Sequence, residues 1–153
     1  MMVQLRKILL VEDSRNDAEL ALEALAEHRV ANEIVHLRDG EQALDYLYGC
    51  GRFAGRSNDK PACVLLDLKM PKVDGLEVLR RMKGDERLAS IPVVVLTSSR
   101  EENDLVESYK LGVNAYVVKP VEFRSFLEAV RQLGAFWAVI NEIPEGSLPD
   151  GPR

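Results

Sequence analysis

Five short apolar runs, each followed by a stretch with helical spacing, dominate what this chain can become, and the third run constrains it most. Ala62-Cys63-Val64-Leu65-Leu66 is unbroken, ends on Asp67, and lies between Pro61 and Pro71. An apolar run of this length reads as a strand covered on both faces, as the strands of parallel sheets are. Asp67 then stands at the C-terminal end of the strand, the edge at which open α/β sheets bind their ligands. A turn or capping role for Asp67 is the weaker reading, because the next helix has its own cap in Asp74.

The remaining runs fall on either side of this one. Lys7 to Val11 is a second buried strand and it too ends in acids, Glu12-Asp13. Ser14 followed by Asp17 three residues on is a helix-start signal, and the helix it opens has Ala18, Ala21, Leu22 and Leu25 on one face. Glu33 to Leu37 reads as a shorter strand, and Asp39-Gly40 turns it into a helix carrying Ala43, Leu44 and Leu47. Asp74-Gly75 starts a helix with Leu76, Leu79 and Met82 on one face. Ile91 to Leu96 is the fourth strand and stops at Thr97; Ala115 to Val118 is the fifth and runs into Lys119-Pro120. Between these two, a helix over about Glu101 to Leu111 ends at Gly112 and has a thin apolar face of Leu105, Val106 and Tyr109, which marks it as an element able to move. The last helix starts near Glu122 and extends to about Asn141. Residues 49–60 form a Gly-rich connection, either a functional loop or a tolerated insertion. Strands and helices that alternate five times make a parallel sheet with helices on both faces.

At 153 residues the chain has room for one domain with a sizeable core, expected over residues 1–143, with residues 144–153 as a tail. A formal net charge of -5 argues against a nucleic-acid surface, which needs clustered Lys and Arg. No run is long enough for a signal peptide's core or a membrane span, so the expected location is cytoplasmic. Cys50 and Cys63 make no metal pattern, and Cys63, inside a strand, reads as a buried free thiol.

Four of the five strands end in a reactive polar group: Glu12-Asp13, Asp67, Thr97 and Lys119. In a parallel sheet these ends share one edge, so residues distant in sequence converge there. Three carboxylates and one lysine carry a formal charge of about -2, which repels an anion; a bound Mg²⁺ brings it to about neutral and favours such oxygen ligands. A carboxylate can act as a nucleophile toward phosphorus. Thr97 supplies a hydroxyl and Lys119 a point charge for phosphoryl oxygens. The chemistry indicated is phosphoryl transfer onto Asp67.

With these residues in place, the chain resembles the receiver domains of bacterial two-component response regulators. The resemblance rests on Leu10-Val11-Glu12-Asp13, on Leu66-Asp67-Leu68-Lys69-Met70-Pro71 with Asp74-Gly75, on Val95-Leu96-Thr97-Ser98-Ser99, and on Ala115-Tyr116-Val117-Val118-Lys119-Pro120. It implies a flavodoxin-like (βα)5 fold with strand order 2-1-3-4-5. It implies that Asp67 accepts phosphate from a sensor histidine kinase, and that Glu12, Asp13, Asp67 and the backbone carbonyl of Lys69 hold Mg²⁺. It further implies that Thr97 and Lys119 bind the phosphoryl group, that Tyr116 rotates with the switch, and that the Lys119-Pro120 peptide is cis. The loop after Tyr46-Leu47-Tyr48, the phrase Ile91-Pro92-Val93-Val94-Val95-Leu96-Thr97 and a last helix with Phe136-Trp137 are similar to single-domain regulators paired with phytochrome-type kinases.

Other uses of such a sheet fit less well. A flavin carrier needs a Ser/Thr-rich phosphate loop where Glu12-Asp13 stands, an aspartate-based phosphatase needs an acid where Lys69 stands, and no P-loop is present. Too few residues follow the last helix for an output domain, so the expected output is a partner protein. The chain is then a terminal switch, a relay intermediate handing phosphate to a histidine-phosphotransfer protein, or an unphosphorylated docking module. Phe136, Val139 and Ile140 extend the last helix's apolar stripe of Phe123, Phe126, Leu127, Val130, Leu133 and Trp137, which predicts a homodimer through that helix.

Overall fold

The computed structural model describes residues 6–27, 32–55, 60–68, 70, 73–97 and 115–132. Its strands are β1 (Ile8–Val11), β2 (Ile34–Leu37), β3 (Cys63–Asp67), β4 (Val93–Thr97) and β5 (Tyr116–Val118). Helices α1 (Arg15–Glu27), α2 (Gly40–Tyr48) and α3 (Gly75–Gly84) lie between them, and a C-terminal helix covers Phe123–Gln132. All five strands pair in parallel in the order β2-β1-β3-β4-β5, as the resemblance implied. The helix read over Glu101 to Leu111, the last helix beyond Gln132, and the tail lie outside the described residues.

The three central strands are apolar and fully buried because each has a helical layer above and below it. Alternate residues go to opposite layers. Ile8, Leu10, Leu65 and Leu96 pack with Ala18, Ala21 and Leu25 of α1 and with Phe126 of the C-terminal helix. Leu9, Val11, Val64 and Leu66 pack with Leu44 of α2 and with Val78, Leu79 and Met82 of α3. Either layer alone would leave half of each strand wet, at roughly 1.5–3 kcal/mol per large side chain. The edge strands are less covered: β2 is half-buried for three of its four residues, and Val118 on β5 is exposed.

Local sequence sets the helix starts. Ser14 Oγ accepts the N–H of Asp17, Asp39 Oδ1 that of Gln42, and Asp74 Oδ1 that of Glu77, so each helix begins one residue after a side-chain cap. Gly49 ends α2 in the left-handed region at φ 67, with its N–H returning to the carbonyls of Asp45 and Tyr46. Part of the connection after Gly49 is ordered as a short 3-10 turn, Gly51–Phe53, that seats Phe53 edge-on against Tyr46 with ring centroids 5.0 Å apart. On α3 the buried residues are Gly75, Val78, Leu79 and Met82, whereas Leu76 is only half-buried. Leu79 and Met82 thus face inward as expected, and Gly75 and Val78 join them because Gly75 is drawn against the end of β3. Among the described residues no helix is long and apolar enough to cross a membrane.

Candidate functional site

The C-terminal ends of β1, β3, β4 and β5 lie side by side, and the expected residues meet there. Glu12 follows β1 directly and its N–H continues the ladder to the Leu37 carbonyl at 3.0 Å. That anchoring keeps the Glu12 side chain inside, 1% exposed, while Asp13 is exposed. Asp67 is the last residue of β3, opposite Leu96 of β4, and is 4% exposed. Thr97 closes β4 and is also buried. Lys119 follows β5, with its N–H donating to the Thr97 carbonyl at 2.7 Å, and its peptide bond to Pro120 is cis. Tyr116 begins β5 opposite Val95, half-buried against the layer that holds α2 and α3. Lys69 lies outside the described residues.

Two centres of charge result. Carboxylate oxygens of Glu12, Asp13 and Asp67 all fall within 4.8 Å of one another. Beside them the Lys119 ammonium donates to Glu12 Oε1 at 2.9 Å and to Asp17 Oδ2 at 3.0 Å, and lies 3.5 Å from Asp67 Oδ2. Burial alone would lower the lysine's pKa. Hydrogen bonds to Glu12 and Asp17, with the charges of Asp67 and Glu12, outweigh it and raise the pKa, so the ammonium keeps its proton. The other Glu12 oxygen, Oε2, accepts the Ser14 N–H at 3.2 Å.

Two participants escaped the sequence reading. Asp17 was read only as part of the helix-start signal, yet it is a direct partner of Lys119. With it the site holds four carboxylates and one lysine, a formal charge of about -3 rather than the -2 expected from the strand ends alone. His36 on β2 places Nε2 at 2.8 Å from the Glu12 carbonyl oxygen; a carbonyl only accepts, so Nε2 carries a hydrogen and donates it. Neither contact has a local signal, since Asp17 meets Lys119 across 102 positions and His36 meets Glu12 across 24.

The end of β3 is held by a close approach that only glycine allows. Gly75 donates its N–H to the Leu68 carbonyl at 2.9 Å. A Cβ at Gly75 would collide with the Asp67 carbonyl oxygen and stand 2.6 Å from the Leu68 Cα. The start of α3 is therefore seated directly on the backbone that presents Asp67.

The donor set fits a hard divalent cation. All three clustered ligands are carboxylate oxygens, with no nitrogen or sulfur among them, and the excess negative charge beside a single lysine calls for a compensating cation.

Comparison with known proteins agrees. The solved bacteriophytochrome response regulator AtBRR is 61% identical, with a TM-score of 0.85 over 92% of this chain and all of that one. The phosphorylated cyanobacterial phytochrome response regulator RcpA is 42% identical, with a TM-score of 0.73 over 92% of this chain and 99% of that one. Response regulator Rcp1 of Synechocystis sp. is 39% identical over 137 residues, 90% of this chain and 92% of its own length. Its Mn²⁺-bound form superposes with a TM-score of 0.71 over 91% of this chain and 99% of that one. The sequence pattern of the response regulator receiver domain matches residues 8–131, a span that takes in every described strand end of the site. Strand order, the edge where four strands meet and this match lead to one conclusion: the chain belongs to the response regulator receiver domain family.

Proposed function

We propose that this receiver is a phosphorylation switch, in which Asp67 takes the phosphoryl group of a sensor kinase's phosphohistidine and the modified protein changes its affinity for a partner protein. The observation that carries the reading is the cluster itself. A carboxylate at a strand end, two further acids with oxygens within 4.8 Å, and a lysine 3.5 Å away supply an acceptor, a cation site and an anchor for the transferred group. An Asp67 oxygen attacks phosphorus, the P–N bond to the imidazole breaks, and the freed nitrogen takes up a proton. Glu12, Asp13, Asp67 and the Lys69 carbonyl would hold Mg²⁺, which when bound supplies positive charge against the phosphoryl oxygens. Lys119 gives a second positive charge, and the Thr97 hydroxyl a hydrogen-bond donor. Tyr116, half-buried at the start of β5, turns inward as Thr97 moves, which carries the change to the surface.

The likeness to AtBRR and RcpA supports a phytochrome-type kinase as the donor. The receiver occupies residues 1–143, with residues 144–153 as a tail, and works in the cytoplasm without nucleic acid or membrane as a partner and without an enzymatic output of its own. Its last helix pairs two copies, through Phe136, Val139 and Ile140. Sedimentation of Phe136→Glu and Val139→Glu tests the pairing, and a wild-type monomer at tens of micromolar, with or without beryllofluoride, ends it.

For the switch, incubation with acetyl phosphate and Mg²⁺ followed by mass spectrometry places the acyl phosphate on Asp67. Chelation of Mg²⁺ or Asp13→Ala suppresses it. Modification of Asp67→Asn to the wild-type level defeats the proposal.

A further inference from the structure

Lys119 has three acidic partners, and only two of them belong to the strand ends. The third, Asp17, sits in the first turn of α1 with Oδ2 3.0 Å from Nζ, about as close as Glu12 Oε1 at 2.9 Å and nearer than Asp67 Oδ2 at 3.5 Å. Two of the ammonium's three N–H donors go to Glu12 and Asp17, and Asp67 Oδ2 lies within ion-pair range. A phosphoryl group on Asp67 presents oxygens that compete with these resting contacts for the same ammonium.

The contacts are not equally easy to give up. Asp67 carries the incoming group and stays with it. The Glu12 side chain is 1% exposed and its second oxygen is fixed by the Ser14 N–H, so parting it from the lysine strands a buried charge. The Asp17 side chain is 32% exposed, and water can take over its oxygen. Exchange is cheapest at Asp17.

We propose that Asp17 is a positioning residue that holds Lys119 at rest and surrenders it to the phosphoryl group on Asp67. This rests on the phosphoacceptor reading above. Asp17 touches no reacting atom and acts through the lysine. Phosphorylation therefore removes an ion pair from the first turn of α1, and the strength of that pair sets part of the cost of phosphorylation.

The test measures the rate of Asp67 phosphorylation by acetyl phosphate and Mg²⁺ in the full chain. Asp17→Asn raises it by about two- to fivefold, the upper part of the range for an ion pair of this exposure. Asp17→Glu returns it toward wild type, and Asp17→Ser is a second uncharged variant should the first fail to fold. Glu19→Gln removes an acid of the same helix that pairs with Arg15 instead, and leaves the rate within about twofold, which separates the lysine contact from a general loss of negative charge. Lysine-ammonium NMR supplies the readout that a merely structural role would not move. The Lys119 Nζ signals of wild type and Asp17→Asn differ at rest and coincide once beryllofluoride and Mg²⁺ occupy the site. An unchanged rate in the uncharged variants, or an Nζ difference that persists under beryllofluoride, overturns the role of Asp17 while the acceptor reading stands. A wild type that takes no phosphate on Asp67 overturns both.

Discussion

Replacing Lys119 with methionine keeps an apolar stem of similar length and removes the cation shared by Glu12, Asp17 and Asp67. Removing one partner of a buried ion pair costs about 3–5 kcal/mol, because the other charge is left uncompensated. The lower end applies here: Glu12 is almost wholly buried, but the lysine side chain is 11% exposed and Asp17 is 32% exposed. About 3 kcal/mol is a large share of the roughly 5–15 kcal/mol that holds a domain together. For a chain of this size it lowers Tm by roughly 6–12 °C, at about 2–4 °C per kcal/mol. Urea and thermal unfolding followed by circular dichroism, in buffer with a chelator, measure the loss. Because the folded lysine has a raised pKa, its stabilisation is complete below the ordinary lysine value of about 10.4 and is lost as pH rises toward the folded value. The gap between wild type and variant therefore stays level between about pH 6 and pH 9 and narrows only beyond about pH 10. Mg²⁺ at about a hundredfold excess over its dissociation constant restores about 2.7 kcal/mol to the variant. A variant as stable as wild type without Mg²⁺, or a gap that closes between pH 6 and pH 9, refutes the view that the ammonium balances these acids.

Gly75→Ala places a methyl group against the Asp67 carbonyl and the Leu68 Cα, so the backbone under Asp67 has to shift. The expected loss is about 1–3 kcal/mol with slower phosphorylation, read from denaturant midpoints and acetyl phosphate kinetics. Burial pushes the Cys63 thiol up to about 12, while Cys50 is exposed, so a disulfide reagent at pH 8 titrates one thiol per folded chain and two in urea. The Cys50 reaction is itself slowed, because a hydrogen bond to Asp45 raises its pKa, and Asp45→Asn speeds it. Hydrogen bonds from Arg87 hold Asp85 down to about 2, so its contribution to stability is present above the ordinary value near 3.9 and fades as pH falls through about 2. Carboxyl NMR titration reads this directly, and Arg87→Ala moves the midpoint back up.

The parts of the site that sit at strand ends were legible because a parallel sheet turns one-dimensional position into shared location. An apolar run that stops at Asp67 says both where the strand ends and which edge its acid occupies. Asp17 could not be read this way. An acid three residues after Ser14 in a first helical turn is fully accounted for by the helix start, and nothing local reports a lysine 102 residues downstream. The His36 ring secures the backbone of Glu12, and a side chain that acts on a main-chain carbonyl of a neighbouring strand leaves no mark in spacing. On α3, helical spacing placed Leu79 and Met82 inward, as they are, but did not show that Val78 is buried more fully than Leu76. The tight seat of Gly75 against Asp67 decides which face turns inward.

The separation along the chain between the acids and their lysine has a consequence for synthesis. Glu12 and Lys119 are 107 positions apart, and every strand of the sheet lies between or beside them. A nascent chain emerges acid first, at roughly 5–20 residues per second, so Glu12, Asp13 and Asp17 wait several seconds before the cation that neutralises them leaves the ribosome. During that interval β1 and β3 can pair, but the edge they form holds repelling carboxylates with no ammonium to join them. Docking of β5 is therefore the step that closes the electrostatics as well as the sheet. The dependence of that step on contacts distant in sequence makes it slow relative to the local helices.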